Sequence, residues 1–164
     1  KNFIYAKGDI LQMKFEFISN PTEELNEFTQ NKNNLPKRAT KGSAGYDFKS
    51  PITITVGADD TALIPTGIKA QVDDGYVLKI YPRSSYGFKY GVVLANTVGI
   101  IDSDYYNNES NEGHIFVKLR NLSDKPLTVN AGDNFCQGIF EKYYLTDDDD
   151  VTEDRKGGIG STTR

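Results

Sequence analysis

The sequence predicts an all-β domain, built as an antiparallel sandwich or barrel. Fifteen Gly and six Pro punctuate the 164 residues too often for long helices. Short runs alternate apolar and polar residues at a period of two: Ile52, Ile54 and Val56 point one way, Thr53 and Thr55 the other. Turn signals separate the runs at strand-like intervals, as at Asp73-Asp74-Gly75 and Asn130-Ala131-Gly132-Asp133.

Residues 1–12 have no clear period and read either as a leader or added extension or as a natural extension that packs on the domain, ahead of a β domain at 13–145 and a mobile C-terminal arm at 146–164. Met13, Phe15 and Phe17 alternate with Lys14 and Glu16 and open the first strand. Residues 19–43 are polar. Within them Thr22 to Phe28 should make two helical turns, with Thr22 as N-cap and Leu25 and Phe28 on one face. Strands are expected at 52–56, 63–72, 76–81, 90–95, 115–119, 127–129 and 135–144. After Leu145 nothing could build a core: Asp147–Asp150 is an acidic linker, and residues 155–164 are Gly, Ser, Thr and basic residues.

The apolar fraction of 37% is low for one compact domain, although ten Tyr and nine Phe offset it with large buried areas. A net charge of −4 argues against a nucleic-acid partner. One Cys excludes an internal disulfide and fits a reducing compartment. No apolar run approaches the ~20 residues that span a bilayer, and no secretory apolar region is visible near residue 1. A soluble cytoplasmic protein with no membrane partner is expected.

Five segments look unlike scaffold: 44–48, 82–85, 96–105, 132–137 and 155–162. Taken alone, three of them leave two readings open. Gly157-Gly158-Ile159-Gly160-Ser161-Thr162 beside Arg155 suits phosphates, because glycines let backbone N–H groups approach an anion. It suits a flexible tail as well, and it lacks the Lys and spacing of a P-loop. Arg83-Ser84-Ser85 after Pro82 could open a helical turn that holds phosphate, or simply turn the chain. Asp102 among Val98, Ile100 and Ile101 could activate a water as general base, or serve an Asx turn. His114, the sole His, reads as a strand-edge residue, and Cys136 as a small core residue. Asp147–Asp150 lacks the alternating ligands of a calcium loop. Gly91 and Gly99 suit a turn or a close backbone approach.

In this order and with these gaps, the five segments resemble the five motifs of the trimeric dUTP pyrophosphatase (dUTPase) family, from about Met13 to Thr163. Gly99-Ile100-Ile101-Asp102-Ser103-Asp104-Tyr105 is the most specific match, and residues 111–116 resemble Gram-positive bacterial and phage forms. The resemblance implies a β-clip-like jelly roll that assembles as a homotrimer. Its sites lie between subunits, and the arm is donated to another subunit's site.

It also implies an activity and a set of roles. Water attacks the α-phosphate of dUTP to give dUMP and pyrophosphate with Mg2+, which limits uracil in DNA and supplies dUMP for dTMP synthesis. Asp102 matches the base, and Arg155 the arm's catalytic cation. Asn96, Gly99, Ile100 and Ile101 match the hairpin that reads uracil, and Tyr105 the residue against deoxyribose. Ile159 stands where the family usually has a Phe that stacks on the base. Arg83, Ser84, Ser85 and Gln137 match phosphate contacts, as do Gly158, Gly160, Ser161 and Thr162. Asp47 matches the carboxylate that holds magnesium through water.

Besides Ile159 there are further departures from the family pattern. Arg155 lies one residue closer to the Gly pair, Ser85 replaces a frequent Gly, Asn134 a common Arg and Thr163 another Gly. Residues 106–110 lengthen the loop after Tyr105. Two alternatives share the fold. A dCTP deaminase would lack the Asp-x-Asp-Tyr hairpin. A regulatory protein that binds a repressor would fit if the chain is phage-encoded.

Overall fold

The computed structural model describes residues 12–160. The proposed leader, apart from Gln12, lies outside them, as do Ser161 and Thr162. Twelve short strands run in chain order: β1 (Lys14–Phe17), β2 (Lys37–Arg38), β3 (Tyr46–Lys49), β4 (Ile54–Val56), β5 (Thr61–Pro65), β6 (Ile68–Gln71), β7 (Tyr76–Pro82), β8 (Val92–Leu94), β9 (Gly99–Ile101), β10 (Phe116–Asn121), β11 (Leu127–Val129) and β12 (Asn134–Lys142). Two short helices interrupt them, α1 (Asn26–Gln30) and α2 (Ser84–Tyr90).

Every strand pair is antiparallel. One sheet has the order β2-β3-β12-β7-β9 and another β5-β10-β8, while β1-β6 and β4-β11 form two-stranded ribbons. This is the predicted all-β sandwich, of jelly-roll type. Its core lies where the inward faces meet: Phe48, Ile64, Leu78, Ile80, Leu119 and Phe135 are all at most 1% exposed. Each such side chain contributes about 1.5–3 kcal/mol of burial. Phe15 of β1 closes one end by packing against Tyr46, Phe48 and Phe140.

The sequence misplaces several boundaries: 52–56 is a strand only over Ile54–Val56, and 135–144 ends at Lys142. The expected strand 63–72 is two strands in different sheets: β5 pairs with β10, and β6 with β1. The break falls at Thr66-Gly67, where Gly67 takes φ +70 and the Thr66 hydroxyl donates to Ile115 O at 2.7 Å. The expected strand 90–95 shrinks to Val92–Leu94, because Tyr90 ends α2 and Gly91 caps it at φ +65. Thr22 precedes a 3-10 turn (Glu23–Leu25) that leads into α1, but its side chain makes no cap bond; its carbonyl accepts from Leu25 N at 2.9 Å instead. Leu25 is buried, and Phe28 packs on Phe17 as the apolar face requires.

His114 is not a strand-edge residue. It is buried, and its Nε2 accepts a hydrogen bond from Gly67 N–H at 2.9 Å. Burial holds its pKa down at about 4, opposed by the nearby Glu112 carboxylate. Cys136 is a fully buried core thiol, as expected. Residues 147–150 are exposed, as a solvated linker requires.

Candidate active site

β9 is an edge strand. Among the described residues it pairs only with β7, through Leu78↔Ile101, Lys79↔Ile100 and Ile80↔Gly99. Its outer edge therefore presents backbone N–H and C=O groups that seek a partner. Gly99 is needed because a Cβ there would lie 3.0 Å from Ile80 Cβ. The turn into β9 is tight: Thr97 N–H donates to Leu94 O at 3.0 Å, and the Asn96 side chain donates to Val98 O at 3.3 Å. Thr97 itself sits at φ +70, a strained position for a β-branched residue.

A cavity of about 250 Å³ opens beside this hairpin. Asn96, Gly99, Ile100, Ile101, Asp102 and Tyr105 line it from one side, and the arm adds Arg155, Gly158, Ile159 and Gly160 from the other. The third and fifth segments thus meet. Phe116, at the start of β10, also lines the cavity and was not a sequence candidate. Its signal was the β10 alternation, which turns Val117 and Leu119 inward and leaves Phe116 half-exposed.

Asp102 ends β9 and starts a 3-10 turn (Ser103–Tyr105) with its own side chain left free of capping. The carboxylate is half-exposed and ion-paired with Arg155 Nη2 at 2.7 Å. Arg155 Nε also reaches Asp104 Oδ1 at 2.8 Å, and Nη1 donates to Gly158 O at 3.3 Å. Its guanidinium lies 5.6 Å from the centre of the Tyr105 ring. Asp104 was part of the motif but had no assigned role. Tyr105 is buried, and burial raises its pKa. Its hydroxyl donates to His114 O at 2.8 Å.

The resemblance placed the arm on another subunit. In this single chain it returns to its own hairpin, where Arg155 finds the carboxylates of Asp102 and Asp104. Ile159 reaches the rim of the cavity but stays 76% exposed. Ser161 and Thr162 lie outside the described residues.

The remaining candidates gather elsewhere. Asp47 on β3 faces Gln137 on β12, which faces Tyr81 on β7. Arg83 follows β7, and its Nε lies 3.2 Å from Asp47 Oδ1. Ser84 and Ser85 open α2 just beyond it. Gln137 Nε2 donates to Pro82 O at 3.2 Å, and a Cβ on Gly45 would collide with Gln137 Oε1. Asp47 is three strands from β9 in the sheet order, ~14 Å at the usual strand spacing, and Gln137 is two. None of the residues of this polar face lines the hairpin cavity.

One chain therefore carries two separate groups of candidates, the hairpin with its arm and the polar face around Asp47, Arg83 and Gln137. A larger cavity of about 400 Å³ lies by Phe15, Tyr46 and Phe140. Its one lining guanidinium, Arg38, already donates to the carbonyls of Lys41 and Ser43. Among the described residues no cluster of three His, Cys, Asp or Glu could hold a metal unaided, and no helix is long and apolar enough to cross a membrane.

The dUTPase family model matches residues 31–163. The deoxyuridine 5'-triphosphate nucleotidohydrolase of Lactococcus lactis subsp. lactis (strain IL1403) is 46% identical over 131 residues, covering 79% of this chain and 87% of that protein. The protein of the same name from Shewanella sp. (strain ANA-3) is 42% identical over 134 residues, covering 77% and 84%. The crystal structure of dUTPase from Streptococcus mutans superposes with a TM-score of 0.71 at 42% identity, over 82% of this chain and 98% of that one. The dUTPase from phage phi11 of S. aureus shares the fold, with a TM-score of 0.66 at 19% identity over 87% and 97%. By the extent of the family match and the identity to these relatives, the chain belongs to the dUTPase family.

Proposed function

We propose that this chain hydrolyses dUTP to dUMP and pyrophosphate, with water attacking the α-phosphorus in line. The observation that carries the reading is the cavity where the β9 edge, Asp102, Tyr105 and the arm's Arg155 converge. Edge N–H and C=O groups from Gly99 to Ile101 offer uracil a pairing partner, and a mismatched base would leave them unpaired in a closed site. The Tyr105 ring floors the sugar. Asp102 orients the water and takes its proton. Arg155 moves from the carboxylates to the triphosphate and stabilises the charge that develops there, while the arm shuts water out.

Arg83, Ser84, Ser85 and Gln137 hold phosphate oxygens, joined by Gly158, Gly160, Ser161 and Thr162 of the arm. Magnesium suits this donor set. Mg2+ keeps most of its waters and takes one or two carboxylates plus substrate phosphates. Asp47, paired with only one cation, is the carboxylate that would hold it through water. When bound, the ion neutralises charge on the triphosphate.

The two separate groups further support a homotrimer in which the hairpin of one subunit meets the phosphate face of another. Exposed apolar residues such as Leu63, Phe88 and Leu122 provide surface for such contacts. By its products, the enzyme would limit uracil in DNA and supply dUMP for dTMP synthesis.

Complementation tests the shared site. Asp102→Asn and Arg83→Ala chains, each inactive alone, should regain activity when unfolded and refolded together. Mixtures that stay dead, with an active native chain, would overturn the sharing. Dependence of turnover on added Mg2+ after chelation tests the metal. Neither a dCTP deaminase nor a repressor-binding protein is favoured: the named relatives above 40% identity are nucleotidohydrolases, and the phage likeness shows the fold alone.

A further inference from the structure

We infer that Asn111, in the loop that follows the hairpin, is a positioning residue that sets how strictly the site excludes ribonucleotides. The inference rests on dUTP as substrate and on Tyr105 as the sugar platform. Asn111 Nδ2 donates to the Tyr105 hydroxyl at 2.8 Å, and that hydroxyl donates in turn to His114 O. Asn111 Oδ1 accepts from Asn108 Nδ2 at 2.7 Å and from Gly113 N–H at 3.1 Å. The amide is thus held by both ends, and its orientation fixes the far end of the Tyr105 side chain.

The loop is built at some cost to hold that amide. Asn107, Glu112 and Gly113 all have positive φ. A Cβ on Gly113 would lie 2.6 Å from Tyr105 O, so the loop closes directly against the platform. Its far end is pinned by Glu112, whose carboxylate accepts from Ser19 N–H at 2.9 Å, from Asn20 N–H at 3.2 Å and from buried Lys69 Nζ at 3.2 Å. The arm rests on the same loop: a Cβ on Gly158 would lie 2.6 Å from Ser110 Oγ and 3.2 Å from Asn111 Nδ2. Asn111 therefore touches both the platform and the seat of the arm. Supporting residues of this kind decide whether a ring stays where a 2′-hydroxyl would clash.

The test is the ratio of kcat/KM for dUTP to that for UTP, measured on the full chain. Asn111→Asp keeps the acceptor that binds Asn108 and Gly113 and removes the donor to Tyr105, so the loop can still fold; Asn111→Ala removes both. Both should lower the ratio about fivefold, the worth of one ordinary hydrogen bond. Most of the change should appear as improved kcat/KM for UTP. In a Tyr105→Phe background, Asn111→Asp should have no further effect, because the atom it acts through is gone. An unchanged ratio in both single variants, or effects that multiply in the double variant, would overturn the inference. Failure of its basis looks different: a native chain inert on dUTP removes the substrate assignment, and one that turns over UTP as well as dUTP removes the platform.

Discussion

Arg155 Nη2 lies 2.7 Å from Asp102 Oδ2, so the arm's cation and the proposed base neutralise each other. The guanidinium is 9% exposed and bonds Asp104 as well. In the proposed mechanism it exchanges these two carboxylates for phosphate oxygens. Arm closure is then a competition between anions, and each carboxylate removed should favour the substrate side.

Asp104→Asn tests that competition. Asp104 is half-exposed, and an exposed pair is worth about 0–1 kcal/mol. The substitution should lower KM for dUTP by up to about fivefold with little change in kcat. A raised KM would show that Asp104 helps seat the arm.

Arg155→Ala should act in the opposite way. It removes the charge that the closed arm brings to the triphosphate, and kcat should fall about 10²-fold or more. Binding of the product dUMP, which lacks the β- and γ-phosphates, should hardly change. Steady-state kinetics with a dUMP titration separates the two effects.

Ile159 reaches the rim of the cavity yet stays largely exposed. Ile159→Phe would supply a ring to stack on the base, worth roughly 1–3 kcal/mol. KM for dUTP should fall by about fivefold or more, and nucleotide binding by calorimetry should tighten equally. No gain would mean that another aromatic group, such as Phe116, already covers the base.

Acid should destabilise the fold through His114. Its pKa falls from the ordinary 6.5 to about 4 on folding, because burial disfavours the charged ring. Between those values the unfolded chain binds more protons than the folded one. The stabilisation is complete above pH 6.5 and is lost as pH falls towards 4, by about 3 kcal/mol at most. Glu112 extends the loss. Burial alone would raise its pKa, but bonds from Ser19 and Lys69 outweigh it and bring the value to about 2, so its contribution fades from about pH 4.5 downward. His114→Gln keeps an acceptor for Gly67 N–H and should flatten the dependence of denaturant midpoint on pH between 4 and 6.5. A native chain with no such dependence would show that His114 is charged in place.

Local pattern made much of this legible. The alternation at 52–56 became a strand over its last three residues, the run 76–81 and the triplet 127–129 became strands, and Arg83-Ser84-Ser85 does open a helix. Asp102, Tyr105 and Arg155 stood out as chemistry before they were seen together, and the fold unites them. What stayed hidden depended on tertiary partners. Residues 63–72 read as one run although Pro65-Thr66-Gly67 carries turn residues, and the Gly67 turn onto His114 is where the chain changes sheets. His114 looked peripheral because its acceptor role needs a backbone N–H 47 residues away. Asn111 and Phe116 lie in the stretch 111–116 that resembles Gram-positive and phage forms, but no site role came with it, and their positions follow from the loop and from the β10 register. The separation of Asp47 and Gln137 from the hairpin is a property of strand order, which period-two patterns cannot encode.

The most direct measurement is pyrophosphate release from dUTP, dTTP, dCTP and UTP with magnesium, for the native chain and for Asp102→Asn. Release from dUTP alone is predicted, with a loss of about 10²–10⁴-fold in the variant at unchanged nucleotide affinity. Release from none of the four, or from all of them equally, would contradict the assigned activity. Full activity on dUTP in Asp102→Asn would remove Asp102 as the base.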